Sequence, residues 1–422
     1  MKKSKNRIKI ETLPFLLSLR SRHGIFRALA LSFIICHLSF SPAGAQNSLW
    51  EAYRDYWYTG VSVNQWQVEA DLSGANEHDV TGQVSNDQTA DWPVIAKHFN
   101  WVVAENCMKC EVIHPKEGVY DFTLADQFVN KAKAAGMKVQ GHCLIWHSQC
   151  APWFHFDKDG KPVSREILKK RMREHIYTIV SHFRGRVDAW DVVNEAFEDD
   201  GSPRKSLFWQ ILGTDYIPLA FQYAHEADPN ALLFYNDFSM NKATKVEGVC
   251  RFFRPLIEQG LPVTAIGMQG HMILEDNVDN SVIRQYEHSV ETIVATGVPT
   301  FFSELDLSVL PNPYGFSGAN VSDKFAYRPE MDPYTKGLTK EQNAKMEQFW
   351  IDFYKMLIPH HKDILRLNFW CLNDANSWRN DFPIKGRTDY ATLFDRQSQA
   401  KPVIEKLIQL VKPAQAPPKK KK

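Results

Sequence analysis

Between Trp57 and Asp374 the chain alternates eight short β-prone runs with segments of helical periodicity, an alternation that leaves few folds open. The runs cover residues 57–64, 101–106, 138–146, 187–195, 231–237, 264–271, 299–306 and 366–374. Their interiors are almost continuously apolar, as strands covered on both faces should be. Residues 124–135, 165–183 and 340–357 repeat apolar side chains at helical spacing, and 282–295 does so behind Asp279 and Asn280, both placed to cap it. Strands alternating with helices predict a parallel sheet. Eight such units, with no glycine-rich phosphate loop after the first, predict the α/β class and a single (β/α)8 TIM barrel rather than a doubly wound sheet.

The two ends of the chain read differently from this body. Lys2, Lys3, Lys5, Arg7, Lys9, Arg20, Arg22 and Arg27 precede an apolar run at 28–40, which leads to Ala43-Gly44-Ala45. This is the pattern of a secretory signal with a small-residue cleavage site, and the run is short for a membrane span of roughly 20 residues. The expected organisation is a signal peptide over 1–45, a barrel over 46–411 and a Pro/Lys-rich tail over 412–422. An exported protein follows, periplasmic or extracellular, with no stable membrane span after cleavage. Without residues 1–45 the chain has 42 Lys+Arg against 48 Asp+Glu. Setting aside 419–422 as well leaves 38 against 48, a charge balance that disfavours nucleic acid as a partner. Six cysteines remain, at 107, 110, 143, 150, 250 and 371. They read as structural disulfides or buried thiols of unspecified pairing, because Cys107-x-x-Cys110 has no second pair to make a zinc or redox motif.

Polar residues collect where the strands should end: Glu105 and Asn106, His142 and Trp146, Asn194 and Glu195, Asn236 and Asp237, Gln269 and His271, Glu304 and Asp306, Asn373 and Asp374. In a (β/α)8 barrel that face carries the chemistry. Glu195 and Glu304 each end an apolar run, and two carboxyl groups delivered by different strands are the minimal equipment for cleaving a glycosidic bond. One must donate a proton while the other stays ionised. Asn194 is placed to bond a sugar hydroxyl beside the reacting carbon, and His271, oriented by Asp306, to donate to Glu304. Trp146, Trp153, Trp370 and Trp378 supply flat apolar faces for sugar rings, although each could equally be core. The irregular stretch 308–337 is long enough to shape a cleft.

Six segments resemble, in order, the motif set of glycoside hydrolase family 10, the endo-β-1,4-xylanases: Glu105-Asn106-x-x-Lys109, Gly141-His142-x-Leu144-x-Trp146-His147-Ser148-Gln149, Trp190-Asp191-Val192-Val193-Asn194-Glu195, Gly267-x-Gln269-x-His271, Ser303-Glu304-Leu305-Asp306, and Trp370 with Ser377-Trp378. Leu393-Phe394-Asp395 followed by Lys401-Pro402 is similar too. The resemblance implies a TIM-barrel enzyme without cofactor or metal, monomeric, acting on xylan and xylo-oligosaccharides by a retaining double displacement. It implies that Glu195 is the acid/base and Glu304 the nucleophile, supported by Asn194, His271, Asp306 and Gln269. Glu105, Asn106, Lys109, His142, Trp146, Gln149, Trp370 and Trp378 would line the glycone side. The chain departs from the family pattern at Cys110, where Trp is usual, at Phe238, where Tyr is common, and at Cys371, where Gly is usual. A related enzyme of β-glucan or mannan, a catalytically silent xylan binder and a metal-dependent hydrolase using His142, His147 and His271 are the competing readings.

Overall fold

A computed structural model describes residues 48–69, 91–313, 316 and 324–412. The signal segment, residues 413–422 of the tail and part of 308–337 lie outside the described residues. Eight parallel strands form the barrel: β1 (Tyr58–Val63), β2 (Trp101–Ala104), β3 (Lys138–Gly141), β4 (Ala189–Asn194), β5 (Leu232–Asp237), β6 (Ala265–Met268), β7 (Thr300–Ser308) and β8 (Ile364–Phe369). Each pairs with the next, and β8 pairs with β1 through Tyr58↔Arg366 to Val61↔Phe369, closing the sheet. Outside run the helices α1 (Asp91–His98), α2 (Thr123–Ala134), α3 (Arg165–His182), α4 (Tyr216–Ala227), α5 (Ala243–Glu258), α6 (Ser281–Val294), α7 (Lys340–Leu357) and α8 (Val403–Gln409). Among the described residues no helix is long and apolar enough to cross a membrane.

Local sequence accounts for these elements. In α7, Met346, Phe349, Trp350, Phe353, Tyr354 and Leu357 recur at the spacing of one helical face and are buried. The side chain of Thr339 accepts the Gln342 N–H at 3.1 Å and satisfies one of the amides left open at its start. The expected caps of α6 do not act in this way. Asn280 occupies the cap position in a left-handed conformation with no side-chain bond to the helix, and the side chain of Asn277 instead takes the Val282 N–H at 3.1 Å. The last strand also shifts: β8 begins at Ile364 and ends at Phe369, so Asn373 and Asp374 are not strand-end residues. Asp374 pairs with Lys401 at 2.8 Å and Asn373 bonds Ser398 at 2.8 Å, which ties the final loop down.

Two runs expected to be single strands are broken, and the breaks position the site. After Gly141 the chain leaves the sheet and returns as Ile145–Trp146, which pairs with Val193 and Asn194 of β4. After Met268 it turns through Gly270, whose φ of +80° suits a residue without Cβ, and returns as His271–Ile273 beside Asp306–Ser308 of β7. Near the N-terminal ends of the strands the interior is plugged by Trp101, Phe234 and Phe301 around the guanidinium of Arg366, which lies 4.7 Å from the ring centroids of Trp101 and Phe301. At the β3–β4 seam Gly141 faces Trp190, and a Cβ at 141 would lie 2.1 Å from the buried indole. Gly141→Ala should therefore overpack the barrel and cost about 1–3 kcal/mol. An unchanged urea midpoint would refute that packing.

Candidate active site

The strand ends, the two returning segments and the loops beside them bring together most of the residues singled out above. Glu105, Asn106, Lys109, His142, Trp146, Gln149, Asn194, Glu195, Gln269, His271, Glu304, Trp370 and Trp378 line one hollow of about 240 Å³. Asp306 stands behind His271 and is fully buried. Trp153 is the aromatic that does not join them: its N–H donates to the carbonyl of His114 at 3.0 Å, and Arg171 packs over its ring. A second hollow of about 280 Å³ shares His271 and continues past Phe238, Asn241 and Arg379 to Asn312 and Phe316, two residues of the long irregular stretch.

Glu195 and Glu304 lie on the cleft floor with 7% and 5% of their surface exposed. Glu195 follows β4 with φ of +56°, a conformation that costs a non-glycine residue free energy and is fixed by two backbone contacts. Its N–H donates to the Asn236 carbonyl at 2.9 Å, and its carbonyl accepts from Arg204 Nε at 3.0 Å. Its carboxyl oxygens accept from the Trp146 indole N–H and from Gln269 Nε2, each at 2.8 Å. Both of these donors are neutral.

Glu304 is held differently. Asn236 Nδ2 donates to Oε1 at 3.0 Å, and His271 Nε2 lies 3.1 Å from Oε2. The other ring nitrogen of His271 lies 2.8 Å from Asp306 Oδ2, so the imidazole spans two carboxylates. Burial alone would disfavour an imidazolium there, but the charges of Asp306 and Glu304 outweigh it and raise His271 from an ordinary 6.5 to about 9. Burial would likewise push Glu304 up; the hydrogen bond and charge of His271 overcome it and hold the carboxyl below the usual range. Asp306 is buried as well, yet the charges of Arg379 and His271 bring it down to about 2. Arg379 reaches its Oδ1 at 2.9 Å, and the Trp378 N–H donates to Oδ2 at 2.7 Å.

The residues expected on the glycone side form a second network. Lys109 Nζ donates to Asn106 Oδ1 at 2.7 Å and to Gln149 Oε1 at 2.8 Å, and stands 5.1 Å from the centroid of Trp146. Burial, only partly offset by Lys109, raises the carboxyl of Glu105 above its usual range. His142 is fixed through Nδ1, 2.9 Å from Asp191 Oδ2, with Trp370 packed edge-on at 5.5 Å.

Two contributors were not among the residues expected to act: Asn236 and Arg379. Asn236 also donates to Asn194 Oδ1 at 3.0 Å and so couples the residue beside one glutamate to the other. Its position at the end of β5 was a usable signal. Arg379 sits in a short turn after Trp378, where no periodicity marks it.

The His271 charge sets a pH window. Stability from its raised pKa is complete below about 6.5 and is lost as pH rises through about 9; stability from the lowered pKa of Asp306 is present above 3.8 and is lost as pH falls through about 2. In an NMR titration the His271 ring should therefore change protonation near pH 9. Asp306→Asn should bring that midpoint down by roughly a unit or more. An unmoved midpoint would show that Asp306 does not hold the charge.

Comparison with known proteins agrees with this geometry. The sequence profile described as "Glycosyl hydrolase family 10" matches residues 70–410. The chain is 43% identical over 316 residues to endo-1,4-beta-xylanase A of Xylanibacter ruminicola, covering 75% of this chain and 85% of that protein. It is 37% identical over 309 residues to endo-1,4-beta-xylanase B of Paenibacillus barcinonensis, covering 73% and 87%. The solved structure of a GH10 endoxylanase retrieved from a sugarcane soil metagenome superimposes with a TM-score of 0.79 at 35% identity, covering 86% of this chain and all of that one. With the profile matched over most of its length and a closed barrel carrying two buried glutamates at its mouth, the chain belongs to glycosyl hydrolase family 10.

Proposed function

We propose that the protein hydrolyses internal β-1,4-xylosidic bonds of xylan by a retaining double displacement, with Glu304 as nucleophile and Glu195 as acid/base. The observation that carries this reading is the unequal bonding of the two carboxyls: Glu304 faces the imidazolium of His271, whereas Glu195 faces neutral donors. In the first step a Glu304 oxygen attacks the anomeric carbon, the glycosidic C–O bond breaks, and Glu195 gives its proton to the departing oxygen. In the second, Glu195 takes a proton from water as that oxygen attacks the same carbon and the bond to Glu304 breaks. Asn194, held by Asn236, is positioned to bond the 2-hydroxyl. Lys109, Gln149 and His142, with Glu105 and Asn106, grip the glycone, and Trp146, Trp370 and Trp378 crowd it, which favours a sugar without a hydroxymethyl arm. The phenyl ring of Phe238 in the second hollow lacks a hydroxyl and shapes the aglycone side by packing.

The test is release of reducing sugar from glucuronoxylan beside carboxymethylcellulose. Xylo-oligosaccharides of initially β configuration should appear from xylan, and none from Glu304→Gln. Glu195→Ala should lose roughly 10²–10⁴-fold on xylan, lose the basic limb of its pH profile, and retain more activity on aryl xylosides with activated leaving groups. Preferential turnover of carboxymethylcellulose would move the assignment to β-glucan.

We also propose export, on the strength of the basic leader, the apolar run at 28–40 and Ala43-Gly44-Ala45. Protein recovered outside the cytoplasm should begin at Gln46. An N-terminus retaining residues 1–45 would refute cleavage.

A further inference from the structure

The glycone wall ends in two cysteines that this reaction does not use. Cys110 follows Lys109 and Cys150 follows Gln149, and their sulfurs stand 3.8 Å apart although 40 residues separate them along the chain. Cys110 is buried and Cys150 half-buried. The remaining described thiols are placed otherwise; Cys371, for example, packs against Glu105 at 3.8 Å. The backbones carrying the pair are already joined: the Glu111 N–H donates to the Gln149 carbonyl at 3.1 Å, and Gln149 Nε2 donates to Glu111 Oε1 at 2.9 Å. Bringing the sulfurs from 3.8 Å to the ~2.05 Å of a disulfide thus closes a short gap between segments that are already tied together.

We propose that Cys110 and Cys150 close into a disulfide when the protein meets a small-molecule disulfide, and that this bond holds Lys109 and Gln149 at the spacing that lines the glycone end. The two thiols share an S–H···S contact, and Cys150, the half-buried one, is the sulfur that an external reagent reaches first. Its thiolate attacks one sulfur of the oxidant, breaks the S–S bond and expels one thiolate. The Cys110 thiolate then attacks the Cys150 sulfur and expels the second. The cysteine pair is oxidised by two electrons, the reagent disulfide is reduced to two thiols, and the two cysteine protons pass to them.

The consequence is a cross-link outside the reacting groups but one residue from each of two side chains on the sugar. That second half of the proposal rests on the xylanase reading; the first does not. The full chain, purified reduced, would be incubated with oxidised glutathione, alkylated under denaturing conditions and mapped by peptide mass. One peptide pair joined through Cys110 and Cys150 is expected, with the other cysteines alkylated. Both cysteines alkylated, a glutathione adduct without a cross-link, or either cysteine joined elsewhere would overturn the disulfide. On xylohexaose the oxidised form should show a KM about threefold below that of the reduced form with kcat little changed, because pre-organisation lowers the cost of binding. Cys150→Ser and Cys110→Ser should both abolish that response to oxidant. Equal KM values in cross-linked and reduced wild type would overturn the positioning role. A protein that cross-links but is inactive on xylan both reduced and oxidised would overturn the substrate assignment and leave the disulfide standing.

Discussion

Burying two carboxyl groups on one cleft floor is the constraint around which the upper half of the barrel is arranged. A buried charge without partners costs several kcal/mol, so each oxygen needs a donor. The donors differ. Glu304 receives a charged imidazole and an amide, while Glu195 receives an indole and an amide. The opposite duties proposed for the two carboxyls require two environments, and the protein makes the difference through the charge of one partner rather than through unequal burial.

That arrangement needs the imidazolium itself to be stable in a buried place, and its support extends outward. Asp306 neutralises His271, Arg379 neutralises Asp306 through its other oxygen, and Trp378 donates to the same Asp306 oxygen that meets His271 while packing 4.7 Å from the His271 ring. The side of the cleft proposed for the glycone has a parallel support running downward. His142 rests on Asp191, Asp191 accepts from Gln140 at 2.7 Å, and Gln140 accepts from Arg366 within the aromatic plug. Burial brings Arg366 down to about 9, against the pull of Asp191 and Glu304. The interior of the barrel is therefore a column of polar contacts set in aromatic packing, connecting the strand starts to the groups at their ends.

The fold was legible because each strand carries an apolar run and four of the eight helices a repeating face. Residues 340–357 were read to the residue, since the apolar spacing that runs from Met346 to Leu357 marks the buried side of α7. The roster of cleft residues was legible because strand-end polar side chains and ordered motifs point to the same positions. Other features depend on tertiary partners that leave no local signal. Trp153 is as aromatic as Trp146, and only the fold turns it toward His114 and Arg171 instead of the cleft. Arg379 matters through Asp306, 73 residues away. Asn373 and Asp374 looked like strand-end residues because the apolar run reaches them, yet the strand stops at Phe369 and the pair serves the closing loop.

The breaks in two strands are where pattern and chemistry part. Read as continuous strands, 138–146 and 264–271 would alternate their side chains between the barrel interior and the helix layer. The chain instead steps out and returns against the next strand, so Trp146 pairs with Asn194 and His271 with Asp306. Register then does what sequence distance cannot: it sets the indole one residue from Glu195 and the imidazole two residues from Glu304 along the neighbouring strand. Every donor that distinguishes the two glutamates, apart from Asn236, comes from these two departures or from Gln269, which lies inside the second of them. A regular barrel built from the same eight runs would bury the same aliphatic side chains, but it would leave both carboxyls without the partners that make them different.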